Sequence, residues 1–226
     1  MTETAIYLDY AASTPVDERV WERMREVSEL TCANPSSTHA AGRLAQEIIA
    51  SSTEQLAALL NTRADRLVMT SGATESDNLA IAGGARYRAN RGRHLVSMRT
   101  EHKAVTDVFE MLEKDGFDVT WVNPAPNGVL DPAVFEAALR DDTQLASIML
   151  VNNETGVIQD IEALGAICRE RDILLHVDAA QAVGKIPIDL AALPVDLMSI
   201  TAHKFYGPKG VGALYIADRP GCHVEP

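Results

Sequence analysis

The chain of 226 residues has only three cysteines, Cys32, Cys168 and Cys222. They are far apart, odd in number and form no Cys-x-x-Cys pair. This argues against a zinc site or a disulfide framework, and makes a reducing cytoplasm the expected location. Basic side chains are also scarce, 20 against 32 acidic ones, for a net charge of −12. No broad face can neutralise phosphates, so neither nucleic acid nor an anionic membrane is an expected partner. A local phosphate pocket is still compatible with that balance. No apolar run approaches the roughly 20 residues that span a bilayer. Residues 1–4 carry neither a basic nor an apolar stretch, so no signal peptide is expected. Internal repeats, low-complexity runs and linkers are absent too.

What the chain does have is an ordinary globular balance, 46% hydrophobic and 23% charged residues, and enough length for one large domain. Val20, Met24 and Val27 predict a helix over 16–30. Leu44, Ile48, Ile49, Leu56, Leu59 and Leu60 predict a longer one over 40–60, with Asn61 as its stop. An alternation follows. Strands are expected over 66–71, 94–98, 118–122, 145–151 and 173–177, separated by helices over 74–88, 103–114, 131–139 and 161–171. Strands over 195–201 and 211–216 complete the set. The expected fold class is α/β, a mostly parallel sheet with helices on both faces. Only about ten residues, including Gly207-Pro208-Lys209-Gly210, separate the last two strands; that is short for a crossover helix and predicts an antiparallel last strand.

Functional groups of such a sheet collect at the carboxyl ends of its strands. Lys204 lies just past one end, beside Thr201 and His203. A lysine there can lose its proton and bond an aldehyde as a Schiff base. Taken alone, it reads as a solvated surface lysine. Ser71-Gly72-Ala73-Thr74 follows another strand, with Gly72 open to a ligand and Thr74 expected to cap the helix, with Asp77 three residues on. A helix start of this kind can cradle phosphate, although taken alone it reads as an ordinary capped helix. A Walker-type site is excluded because its lysine is missing. His102 alone is a helix-start residue. Asn152, Asn153 and Glu154 are costly to bury and need partners. Asp178 ends an apolar strand and should be desolvated unless a cation faces it. Together, a lysine, a carboxylate, a phosphate cradle and a ring-stacking imidazole meet the requirements of pyridoxal phosphate.

The sequence is similar to a known family. Tyr7-Leu8-Asp9-Tyr10-Ala11-Ala12, Asn34-Pro35-Ser36-Ser37-Thr38-His39, Thr70-Ser71-Gly72-Ala73-Thr74-Glu75-Ser76-Asp77-Asn78, Thr100-Glu101-His102-Lys103-Ala104, Val151-Asn152-Asn153-Glu154-Thr155-Gly156, His176-Val177-Asp178-Ala179-Ala180-Gln181 and His203-Lys204-Phe205-Tyr206-Gly207-Pro208-Lys209-Gly210 closely resemble the NifS-like cysteine desulfurases. These are pyridoxal phosphate enzymes of the class V aminotransferase type. The resemblance runs along nearly the whole chain and implies the large domain of a fold type I transferase. It implies that Lys204 carries the cofactor, that Asp178 faces the pyridine nitrogen, and that His102 stacks on the ring, with proton transfer as a second role. Gln181 would bond the ring hydroxyl, and Asn153 would lie near that hydroxyl and the substrate carboxylate. Ala73, Thr74, Thr201 and His203 would hold the phosphate. Thr201-Ala202-His203 departs from the family's Ser-Gly-His but keeps a hydroxyl.

The same resemblance implies conversion of L-cysteine to L-alanine, with sulfur passed on as a persulfide for iron–sulfur cluster assembly and other sulfur-transfer pathways. It further implies a homodimer and a sulfur-acceptor or scaffold protein as partner. Family members are nearly twice as long. Their second half supplies a small domain, a substrate-carboxylate arginine and a loop with the nucleophilic cysteine. Residues 1–15 are therefore expected to pack with an absent small domain, and 16–226 to form the cofactor domain. Cys32 and Cys168 fall in predicted helical segments and Cys222 in a tail. None matches the nucleophile, and all three are read as structural or incidental. The chain by itself is expected to be incomplete as a catalyst. The rival readings are another class V enzyme, such as a selenocysteine lyase or an aminotransferase, and a non-catalytic fragment that binds the cofactor.

Overall fold

A computed structural model describes residues 6–225. Residues 1–5, part of the stretch inspected for a signal peptide, lie outside the described residues, as does 226. Among the described residues seven strands are formed: β1 (Leu67–Thr70), β2 (His94–Met98), β3 (Asp118–Val122), β4 (Thr143–Met149), β5 (Leu174–Asp178), β6 (Leu197–Thr201) and β7 (Gly212–Ile216). They make one sheet in the order β1-β7-β6-β5-β4-β2-β3. The pairs β2–β3, β2–β4, β4–β5 and β5–β6 are parallel. β7 is antiparallel as expected, and it pairs with both β6 and β1. The last strand is thus inserted between the first and the sixth. β1 runs in the same direction as the parallel strands, and its carboxyl end opens on the same side as theirs.

Every residue of β2, β4, β5 and β6 is buried. Side chains alternate between the two faces of a strand, so each face has its own core. Val96, Ala146, Leu175 and Met198 project to one side, against Phe135 and Leu164. Leu95, Leu145, Leu174 and Leu197 project to the other, against Val105, Phe109 and Leu112. Those three belong to helix α5 (Lys103–Lys114), whereas Phe135 lies on α6 (Pro132–Ala137) and Leu164 on α7 (Ile161–Glu170). The two N-terminal helices differ. α1 (Glu18–Leu30) buries no residue, and α2 (Ala40–Leu59) buries only Gly42, Ala45 and Ala57.

Two expected elements change form. A single helix was predicted over 74–88. Instead α3 (Ala73–Asn78) passes into a π-helical turn, Leu79–Gly83, and then into α4 (Gly84–Tyr87). Residues 80–85 are all buried, more than one stripe of a regular helix allows, and they are small enough to be covered on several sides. A Cβ on Gly84 would lie 3.2 Å from Leu145, and the backbone of Glu225 crosses directly over Gly83. The strand predicted over 145–151 runs from Thr143 to Met149. The Leu150 N–H bonds back to the Asp178 carbonyl at 2.9 Å, and Val151 leaves the sheet to form a bridge with Ile158.

Candidate active site

On the α5 side of the sheet the inward row changes character toward the carboxyl ends. Leu95 is followed by Ser97, Leu145 by Ser147, Leu174 by His176 and Leu197 by Ser199, all buried. At the end of this polar row a cleft of ≈ 460 Å³ opens, within the usual range of small-molecule sites. Its walls bring together Ala73, Thr74, His102, Asn153, Asp178, Gln181, Thr201, His203 and Lys204 from five separate stretches of chain.

Lys204 closes a short 3-10 turn, Ala202–Lys204, directly after β6. Its Nζ donates to the carbonyls of Ala11 at 2.6 Å and Ala12 at 3.0 Å. Burial, and then the charge of Lys185, loosen its hold on its proton, while Asp178 and Asp9 act in the opposite direction. Asp178 is the last residue of β5, with Oδ1 accepting from the Ala180 N–H at 2.9 Å. Burial pushes its carboxyl above the usual range, opposed by that hydrogen bond and by His102 and Lys204. His102 caps α5, its Nδ1 accepting from the Ala104 N–H at 3.1 Å. Gln181 reaches the Ala11 carbonyl through Nε2 at 2.7 Å. Asn153 donates to Glu154 Oε1 at 2.9 Å.

Thr201 ends β6 and is buried. A Cβ on Gly72 would stand 3.5 Å from its Oγ1, so the loop after β1 passes close by. The His203 ring faces Ser13 Oγ at 3.2 Å, and its carbonyl accepts from both the N–H and the hydroxyl of Thr14, at 2.9 and 3.0 Å. The Tyr206 N–H in turn donates to Thr14 Oγ1 at 2.7 Å. The stretch from Ala11 to Thr14 is therefore laced across the lysine turn.

The start of α3 corrects one expectation. Thr74 is not the cap. Gly72 is, at φ 154° and ψ −179°, a conformation in which L side chains are strained, and it supplies no side chain to cap the helix. Glu75 reaches back instead, accepting from the Ser71 N–H at 2.7 Å and its hydroxyl at 2.5 Å. Asp77 turns inward rather than toward the helix start. Its Oδ1 lies 3.5 Å from His176 Nε2, and neither carboxylate oxygen has a hydrogen-bond partner among the described residues.

Sequence reasoning missed this buried polar layer. His176 bonds Ser147 Oγ at 2.8 Å and Ser199 Oγ at 2.9 Å, and burial pushes its pKa down to about 3, so it is neutral. Glu101 accepts from the Met149 N–H at 2.8 Å while its second oxygen has no partner, and burial raises its pKa well above 4.5. The available signal was a polar residue at every second position near the ends of otherwise apolar strands.

Of the three cysteines, only Cys32 departs from its expected placement. Cys168 is buried on α7, and burial pushes its thiol up to about 12. Cys222 is half-buried, its Sγ 3.5 Å from the Asp196 carbonyl, and burial raises it to about 11. Cys32, expected in a helix and committed to packing, is exposed in the loop after α1. That helix stops at Leu30 because Thr31 turns extended, at φ −158°, and its N–H closes on the Val27 carbonyl.

The sequence model of the family described as "Aminotransferase class-V" matches residues 6–226. The chain belongs to that family. It is 52% identical over 224 residues to the cysteine desulfurase IscS of Neisseria meningitidis serogroup C, covering 99% of this chain and 55% of that protein. It is 55% identical over 221 residues to the cysteine desulfurase IscS of Methylococcus capsulatus, covering 97% and 55%. It spans little more than half the length of these curated relatives. A solved structure titled "NIFS-LIKE PROTEIN" superposes with a TM-score of 0.94 at 38% identity, over 99% of this chain and 61% of that one. Another, "SspA in complex with cysteine", gives 0.91 at 42%, over 94% and 61%. The α/β class V fold and the likeness to NifS-type proteins are thereby established for this chain.

Proposed function

We propose that this chain is the pyridoxal phosphate-binding domain of a cysteine desulfurase, which converts L-cysteine to L-alanine and leaves sulfur as a persulfide on a cysteine. The observation that carries the reading is one cleft holding both Lys204, whose proton is loosely held, and the buried carboxyl of Asp178. The residues fit the cofactor. Asp178 has a backbone N–H on Oδ1 but no bonded cation, and a protonated ring nitrogen would supply one. The helix start at Ala73, capped by a glycine without a side chain, leaves N–H groups for a phosphate, with Thr201 and His203 adjoining.

When bound, the cofactor supplies an electron sink for the pair left as the substrate Cα–H bond breaks. Lys204 would hold the cofactor and move the Cα proton, for which a lowered pKa suits it. Asp178 would keep the ring nitrogen charged. His102 would cover the ring, Gln181 would donate to its hydroxyl, and Asn153 would serve the substrate carboxylate. In this reading residues 16–226 form the cofactor domain, and residues 1–15 are the segment that packs with a second, smaller domain. The protein acts as a homodimer in a reducing cytoplasm and passes sulfur to an acceptor or scaffold of iron–sulfur assembly. Cys168 and Cys222 hold their protons too tightly to accept sulfur readily, and exposed Cys32 is not among the residues that line the cleft, so the chain by itself turns over little.

The test is reconstitution with pyridoxal phosphate. A visible band should form, and borohydride should fix the cofactor on Lys204, as read by peptide mass. A Lys204→Ala variant that is still labelled at full yield would overturn the reading.

A further inference from the structure

Gln181 lines the cleft with 7% of its surface exposed. A primary amide has a donor end and an acceptor end, and the end that faces a ligand decides what the residue recognises. Two neighbours fix that choice here. The Ala11 carbonyl can only accept, and it takes a hydrogen bond from Gln181 Nε2 at 2.7 Å. The Lys185 ammonium can only donate, and it gives one to Gln181 Oε1 at 2.7 Å. A flipped amide would set acceptor against acceptor on one side and donor against donor on the other. Lys185 stands at this point because the chain winds through successive turns, with Val183 N–H on the Ala179 carbonyl at 3.2 Å and Ile186 N–H on the Ala182 carbonyl at 3.0 Å. Such winding brings side chains four apart together. Gly184, at φ +75°, is pressed on Phe205; a Cβ there would lie 2.9 Å from the Phe205 Cβ. The backbone that carries Lys185 is thus seated on the residue next to Lys204.

We propose that Lys185 is a positioning residue of the cleft: it anchors the oxygen of Gln181 so that the amide meets a bound ligand as a hydrogen-bond donor, and it sets a second positive charge near Lys204. The ligand group so recognised is an anionic oxygen on an aromatic ring. The proposal rests on the pyridoxal phosphate reading of the cleft and deepens it. Lys204 is faced by Asp178 from β5, by Asp9 and the two alanine carbonyls from the N-terminal stretch, by neighbouring His203, and by Lys185. The two aspartates favour its charged form, whereas burial and Lys185 oppose it. Lys185 itself holds its proton less tightly than an ordinary lysine, because of burial.

The test has two arms and uses Lys185→Met, which keeps length without a donor, and Lys185→Arg, which restores one. In the first arm, without cofactor, the side-chain NH₂ of Gln181 is followed by ¹⁵N NMR and hydrogen exchange. Wild type and Lys185→Arg should keep two well-separated, protected proton resonances, and Lys185→Met should lose them. In the second arm the proteins are loaded with pyridoxal phosphate and the visible band is titrated. Removing a positive charge and a donor to the ring oxygen both favour the protonated chromophore. Its pH midpoint in Lys185→Met should therefore rise by about one unit, a tenfold change in the proton equilibrium, and return in Lys185→Arg. The shift should shrink in a Gln181→Ala background. An unchanged Gln181 signal in Lys185→Met, or an unmoved midpoint, overturns the role of Lys185. A wild-type protein that forms no band overturns the cofactor reading instead, and with it the role of the amide toward the ring.

Discussion

Asp77 and Asp178 are buried carboxyls with different surroundings, and substitution should separate them. Asp178 accepts a backbone hydrogen bond and faces a cleft that also holds His102 and Lys204. Asp178→Asn should leave the phosphate cradle intact, so cofactor affinity changes little. An amide cannot keep a ring nitrogen protonated, so exchange of the substrate Cα proton should slow by roughly 10²-fold or more, the scale of losing a directed electrostatic contact. Cofactor occupancy by absorbance and exchange by deuterium NMR check this; a variant that lost the cofactor yet exchanged normally per bound cofactor would give Asp178 another role. Asp77 has no well-formed hydrogen bond among the described residues, and burial followed by the Asp178 charge raises its pKa well above 3.8, opposed by the nearby Ser199 hydroxyl. A group raised in the folded state contributes its stability fully below the unfolded value and loses it as pH rises through the folded one. Asp77→Asn removes that loss. It should stabilise the protein at pH 8 by about 1–2 kcal/mol, and the gain should fade as the pH is lowered toward 4. His176, depressed to about 3, has the opposite sign and destabilises the fold as pH falls below its unfolded value of 6.5. Urea midpoints at several pH values measure the difference; a gain equal at pH 8 and pH 5 would falsify the assignment. The nine expected cleft residues were legible because each ends or follows a strand or opens a helix. Asp77, on a short helix, and Glu101, in a bend, were not, since nothing local in the sequence turns them inward, and His176 showed only in the alternation of polar with apolar residues along its strand.

At the scale of elements, the narrowest passage is where β7 slides past the loop after β1. A Cβ on Gly212 would stand 2.5 Å from the Ile200 carbonyl and 2.6 Å from the Gly72 Cα. Both neighbours are backbone and cannot swing aside. Gly212→Ala should therefore cost about 2–3 kcal/mol. It should also displace Gly72 and the start of α3, weakening pyridoxal phosphate binding by roughly tenfold, or about 1.4 kcal/mol. Denaturation and spectral titration report the two effects, and a destabilised variant with unchanged affinity would uncouple the passage from the cradle. Strand and helix identities were legible here because the apolar runs are long and Gly, Pro and Asn punctuate them. The π turn was not, because it depends on how closely 80–85 are covered by Leu145 and the tail near Glu225, contacts remote in sequence. The antiparallel sense of β7 followed from its short connection, but its position between β6 and β1 did not, since a loop length fixes direction and not the partner on the far side.

The whole molecule carries its apolar surface unevenly. Trp21, Met24 and Leu30 on α1, Leu44, Ile49 and Leu59 on α2, and Val68 and Met69 on β1 are all exposed. Helical periodicity identified α1 and α2 correctly, yet of the apolar positions it detected only Leu60 is buried by the described chain. Exposed apolar area on this scale marks a surface that pairs. The protein should sediment as a dimer or larger species at micromolar concentration, and Trp21→Glu combined with Ile49→Glu should shift it toward monomer. A monodisperse monomer before any substitution would contradict this.

The placement of β7 also sets an order of events during synthesis. β1 leaves the ribosome early, but its sheet partner, beginning at Gly212, is made some 140 residues later. Until then β1 has no neighbour, and the loop from Ser71 to Thr74 has nothing to hold it beside Thr201. The most C-terminal strand among the described residues is thus the keystone of a cleft whose Ser71–Thr74 loop was translated far earlier. Long-range pairing of this sort is slow to form and leaves an early strand edge open to wrong partners. A nascent chain halted before β7 should hold its Lys204 but not the cradle, so capacity for the cofactor arrives late and in one step rather than growing with length.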